Sequence, residues 1–96
     1  MPEIVAVPAE SRYVLMIEGE RVGFMDYRLR DEVFIAVHTE IDPAYAGQGL
    51  GELLVRHVLD HVRDTGMSLR PLCPFVRRFL HKHHEYDDLL VPTEGN

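Results

Sequence analysis

The sequence predicts an α+β fold, a mixed and mostly antiparallel sheet with helices packed on it, and three observations lead there. Residues 33–41 alternate in side-chain type, residues 48–64 repeat apolar positions at helical spacing, and the elements run strand, strand, strand, helix, strand, helix. Alternation marks a strand, and recurrence at about 100° per residue marks an amphipathic helix. A hairpin meander followed by a strand-helix-strand crossover makes a mixed sheet that its helices cover.

Each element has its own signal. "RYVLMI" (12–17) and "VGFMDYRL" (22–29) are rich in branched and aromatic strand formers, and Glu18, Gly19 and Glu20 make the turn between them. In "DEVFIAVHTEID" (31–42), strict alternation sets Val33, Ile35, Val37, Thr39 and Ile41 on one face and Phe34, Ala36, His38 and Glu40 on the other, with Pro43 as the stop. From Gln48 to Asp64, Leu50, Leu54, Val55, Val58, Leu59 and Val62 share half of the helical wheel, with Leu53 at its margin. Glu52, Arg56, Asp60, Arg63 and Asp64 fill the other half, and Thr65-Gly66 supply the stop. "MSLRPLC" (67–73) reads as a short strand, and "PFVRRFLHKH" (74–83) as a second helix with Phe75, Val76, Phe79 and Leu80 in a stripe. Asp87 and Asp88 cap or end a helix with Leu89 and Leu90 packing inward, and the tail frays from Val91.

Bulk properties bound the function. The 96 residues suit one domain, 1–96 with its core at about 12–90, and 46% hydrophobic content lies well above the disordered regime. A formal charge of -6 argues against nonspecific attraction to nucleic acid or anionic membrane. The lone Cys73 allows no internal disulfide, "MPEIVAVPAE" lacks the features of a signal peptide, and no apolar run approaches the roughly 18 residues that span a bilayer. The expected location is the cytoplasm.

Two stretches carry candidate chemistry. "AGQGLG" joins a strand to a helix, where the first amides lack partners and the helix dipole favours an anion. Glycines at 47, 49 and 51 remove side chains from that spot and permit positive φ. The pattern is neither a dinucleotide fingerprint, since residue 52 is Glu, nor a Walker A loop. Phosphate binding and a turn built for packing both satisfy it. In the second stretch, Cys73 precedes Pro74 at the first helical position, a setting that stabilises thiolate if the side chain is partly exposed. Arg77 and Arg78 one turn on add to the effect, whereas a buried cysteine would be inert.

"PAYAGQGLGELLVRHVL" resembles the acyl-CoA-binding signature of the GNAT N-acetyltransferase superfamily, [QR]-x-x-G-x-[GA], with Ala46 in place of the usual first Arg or Gln. "CPFV" (73–76) followed by "HHEY" (83–86) is similar to the C-P-[FY]-[VA] and H-x-E-Y motifs of its small single-domain, YjdJ-type subgroup. The resemblance spans about residues 13–90 and implies a GNAT-like sheet, truncated relative to full-length members. It implies that the amides of Gly47, Gln48, Gly49, Leu50 and Gly51 hold the coenzyme A pyrophosphate, and that the strand ending at Glu40 and Ile41 bonds the pantetheine arm. It further implies acetyl transfer from acetyl-CoA to an amine, directly with Glu40 or His38 as base or through Cys73 facing the thioester. A non-catalytic coenzyme A binding module is the alternative. The usual N-terminal helices that shape an acceptor site are missing from the pattern, so a small amine, a polyamine or a protein lysine all suit, as do monomer and dimer.

The six histidines raise a rival reading. His57 and His61 have the i, i+4 spacing of metal ligands, and "HKHHE" adds His81, His83, His84 and Glu85. Yet His57 and His61 sit at the edge of the apolar arc and no H-E-x-x-H occurs, so no metal site is expected. Arg77, Arg78 and Lys82 either meet the coenzyme 3′-phosphate or keep their helix solvated.

Overall fold

The computed structural model describes residues 1–92. Its frame is a five-stranded sheet in sequential order. Strands β1 (Pro2–Val7), β2 (Arg12–Ile17), β3 (Glu20–Arg30) and β4 (Val33–Ile41) form an antiparallel meander, and β5 (Ser68–Pro71) pairs parallel to β4. Helix α1 (Leu50–Thr65) is the crossover between β4 and β5, and α2 (Pro74–Lys82) follows β5. Three short 3-10 helices cover Pro8–Glu10, Pro43–Tyr45 and His84–Leu89. The mixed sheet and its two helices match the expected fold class.

The core lies between one face of the sheet and both helices. Leu54, Val55, Val58, Leu59 and Val62 of α1 and Val76 of α2 are fully buried, packing with Tyr13, Met25, Tyr27, Phe34 and Ala36 from the strands. Burial of each such aliphatic side chain stabilises the fold by roughly 1.5–3 kcal/mol, an upper bound because the unfolded chain hides some of that surface. Leu53, at the margin of the wheel, is indeed exposed. Gly66 closes α1 in the left-handed conformation, its amide bonding Arg63 O.

Four particulars differ from the sequence reading. Strand β1 lies outside the expected elements, and Ile4 extends the core before residue 12. Its side chains are largely exposed, so the apolar alternation that marks a strand is weak until β2 pairs with it. Helix α1 starts at Leu50 rather than Gln48, because Gly49 takes φ 75° and cannot be helical. The tail is tied beyond Leu90: the Val91 amide donates to Leu69 O, and Leu90 forms an isolated bridge with Leu69. Residues 93–96 of the expected frayed tail lie outside the described residues.

The fourth difference positions the site. In β4, His38 pairs with Asp26 and Ala36 with Tyr27, so Val37 is an extra residue, a β-bulge. One inserted residue reverses the alternation downstream of it. Thr39 and Ile41 therefore join Phe34 and Ala36 on the helix face, and His38 and Glu40 stand on the opposite face. The expectation of two unbroken faces along 33–41 is corrected by that bulge, which a reading by strict alternation cannot contain.

Candidate functional site

Strands β4 and β5 run together only from Val33 and Ser68 to Ala36 and Pro71. There Ala36 O accepts the amides of both Leu72 and Cys73, and the strands part. Beyond the bulge, the Asp42 amide donates to Val22 O, which fixes the direction of the remaining backbone. By alternation, Glu40 and Asp42 turn their main-chain groups toward β3, while Thr39 and Ile41 turn theirs toward the gap that β5 leaves. The strand thus carries main-chain donors and acceptors along an edge with no neighbouring strand.

At the end of this edge comes the glycine turn. Asp42 Oδ1 accepts the Ala44 amide at 2.9 Å, capping the 3-10 helix that Pro43 opens. Gly47 (φ 80°) and Gly49 (φ 75°) then reverse the chain in the left-handed region, which side-chain-bearing residues rarely adopt. The first α1 bond runs from the Leu53 amide to Gly49 O at 3.1 Å. Among the described residues, no amide from Gly47 to Glu52 donates to a main-chain acceptor. A Cβ built on Gly47 or Gly49 meets nothing within 4 Å, so the space over these amides is open.

Gly51 behaves differently. A Cβ there would lie 2.4 Å from Phe75 Cζ, which makes this glycine a packing residue between α1 and α2. Sequence reasoning gave it the same role as Gly47 and Gly49, but its φ is not positive and its neighbour is a ring. A cleft of about 430 Å³ runs over the turn, with walls from Ile41, Tyr45, Ala46, Gly47, Gly49 and Phe75. It brings together the expected binding residues Ile41, Gly47, Gly49, Leu50 and Gly51, while Gln48 does not line it. Tyr45, Glu52 and Phe75 are lining residues that sequence reasoning missed. The i, i+4 step from Gly47 to Gly51 beside an aromatic at the start of the next helix is a signal too weak to have found Phe75.

The three candidate catalytic side chains fall on two faces. Cys73 is the residue before α2 and is 1% exposed, its Sγ donating to Thr39 Oγ1 at 3.4 Å on the helix face of β4. The partial exposure on which a stabilised thiolate depends is therefore absent, because the core closes over the start of α2. His38 and Glu40 stand on the open face, Nε2 to Oε2 at 2.9 Å. Phe24 lies beside His38 at 6.0 Å between ring centroids, and Arg12 lies over Phe24 while bonding Asp26 at 2.7 Å. The hydrogen bond with Asp26 raises the Arg12 pKa above its ordinary value.

The histidine-rich segment forms a clasp. Tyr86 donates to Asp60 Oδ1 at 2.6 Å, and Arg56 reaches Tyr86 Oη, Glu85 and His83 Nδ1. Arg63 donates to Glu85 O and, in a short ion pair, to Asp88. Burial first, and then the Asp60 bond, push the Tyr86 phenol up. The main-chain amide of Glu85 and then Arg56 hold the Glu85 carboxyl below its usual range. Asp87 and Asp88 sit inside the 3-10 helix, with Leu89 buried and Leu90 partly so. His57 and His61 are exposed, His61 edge-on to Tyr13, and no group of three metal-ligating side chains converges among the described residues.

A strand that parts from its neighbour, a left-handed glycine turn and a helix start with open amides are now in one place. A family model described as GCN5-related N-acetyl-transferase matches residues 12–89. The chain belongs to this family. A GCN5-like protein from Staphylococcus aureus, solved by NMR, is 25% identical with a TM-score of 0.73, covering 98% of this chain and 92% of its own. The ribosomal-protein-S18-alanine N-acetyltransferase of Escherichia coli (24% identity, TM-score 0.59, 62% of this chain) shares the fold, and this chain spans 39% of its length. So does an N-acetylglutamate synthase from Neisseria gonorrhoeae complexed with coenzyme A and N-acetyl-glutamate (16%, TM-score 0.63, 88% of this chain and 26% of that one). No curated protein matches the sequence. No described helix is long and apolar enough to cross a membrane.

Proposed function

We propose that residues 1–96 form one acetyl-CoA-dependent N-acetyltransferase domain of the small, YjdJ-type group, acting on an amine in the cytoplasm. The observation that carries the reading is one cleft whose wall includes both Ile41, on the unpaired edge of β4, and the open glycine turn. The amides from Gly47 to Gly51 suit a pyrophosphate, since they have no main-chain acceptors and the space beside Gly47 and Gly49 is open. Main-chain groups of Thr39 and Ile41 suit the amides of a pantetheine arm. Ala46 offers no polar side chain, so the main chain bears this binding. Acetyl-CoA as substrate supplies the activated thioester.

The bulge gives β4 two chemical sides. The helix side leads to the cleft, and the open side carries His38 bonded to Glu40, where an amine can approach the gap from the other direction. Glu40 orients the imidazole, and His38 takes the proton that the amine loses on acylation. A second reading rests on Cys73, which lies where β5 leaves β4 and, at 1% exposure, reacts only once the start of α2 moves off it. There its thiol takes the acetyl group, releasing coenzyme A, and an amine then takes it from sulfur and restores the thiol.

Radiolabelled acetyl-CoA tests both. Binding by calorimetry and label transfer to a polyamine or a lysine peptide are the expected results. His38→Ala lowers transfer about 10²-fold in the direct route, the usual scale for losing a general base. Cys73→Ala abolishes both transfer and hydroxylamine-sensitive protein label in the covalent route. Binding without transfer to any amine leaves a coenzyme A binding module, and absence of binding sinks the reading.

A further inference from the structure

Resting on the coenzyme A reading above, we propose that Arg78 recognises the phosphate on the ribose 3′ carbon and makes this chain prefer coenzyme A to its 3′-dephospho form. Next to the cleft over the glycine turn lies a smaller one of about 140 Å³, which shares Glu52 and Phe75 with it and adds Arg78, Phe79 and Lys82. Phe75 stands at the junction, packed against Gly51 at the start of α1. Arg78 is one turn further along α2, its Cζ 5.8 Å from the Phe75 ring centroid.

Charge singles this residue out. Lys82 Nζ is 3.9 Å from Glu52 Oε2, so those two offset each other. Arg78 makes no ion pair among the described residues, which leaves one uncompensated guanidinium on the wall. Beyond its pyrophosphate, coenzyme A carries one more anionic group, the ribose phosphate, and a guanidinium fork matches phosphate oxygens. Arg77, the neighbouring base, lies on the other side of α2 with Pro71, Leu80 and His81. The helix thus sorts three basic residues that are equivalent in the sequence: two beside the nucleotide cleft and one away from it.

Calorimetric titration with coenzyme A and with 3′-dephospho-coenzyme A tests the assignment, each variant first checked by its thermal melt. Wild-type protein is expected to bind coenzyme A about fivefold tighter, the scale of one partly exposed ion pair, with the preference shrinking as salt rises. Arg78→Ala removes the preference and leaves dephospho-coenzyme A affinity unchanged, whereas Arg77→Ala keeps both values. Equal wild-type affinity for the two ligands overturns the proposal alone, as does an Arg78→Ala variant that weakens both in proportion. Failure of wild-type protein to bind either ligand overturns it together with the coenzyme reading.

Discussion

The two ends of α1 meet the rest of the chain in opposite ways. Its start is open, with unpaired amides under Gly47 and Gly49 and a cleft above them. From Arg56 onward it is closed, because Arg56, Asp60 and Arg63 are engaged by His83, Glu85, Tyr86 and Asp88. Both ends contain residues of a kind that suggests chemistry. The difference lies in whether the polar groups have partners: satisfied groups fasten the helix, and unsatisfied ones are left for a ligand.

The largest expected effect breaks the closed end. Tyr86→Ala removes a ring that is 2% exposed and packs on Phe79, and it lowers unfolding free energy by about 3–5 kcal/mol, read by urea denaturation. Next comes the seam between the ends. Gly51→Val drives a side chain into Phe75 and costs about 1–3 kcal/mol, part of which Phe75→Leu in the same chain restores. Gly49→Ala is milder for folding, about 1 kcal/mol from the left-handed φ, but it weakens coenzyme A binding by calorimetry more than Tyr86→Phe does. If the order of those two affinities is reversed, the open and closed ends have been assigned the wrong way round.

The smallest effect is a pH dependence confined to the clasp and the core beneath it. Burial raises the phenol pKa of Tyr86 and of Tyr13, so the folded chain holds protons that the unfolded chain releases near pH ~10. That stability is intact below about pH 10 and falls as pH rises through the folded values. Thermal melts at stepped alkaline pH are expected to show the decline, and Tyr86→Phe flattens it at a cost of about 1 kcal/mol for the lost Asp60 bond.

Most of the frame and the place of the glycine turn were legible in the sequence, for a common reason: both are local. The α1 arc from Leu50 to Val62 declares its buried face through spacing, and Gly66 and Pro43 mark boundaries by their own backbone limits. What could not be read depends on partners distant in sequence. The extra residue at Val37 exists only against Asp26 and Tyr27 of β3, and it moved His38 and Glu40 away from Cys73. Gly51 looks like its two neighbours in the turn until Phe75 is set beside it. The "HHEY" stretch and the polar arc of α1 gain their meaning from each other, across more than twenty residues of chain.

The return of the chain after α2 has a consequence beyond the cleft. Because Leu90 and Val91 lie along β5, with the Val91 amide on Leu69 O, the sheet margin there is occupied by the molecule itself. Among the described residues, that leaves unpaired strand backbone in two places, the outer flank of Pro2–Val7, where Val5 stands 43% exposed, and the Thr39–Ile41 edge beside the cleft.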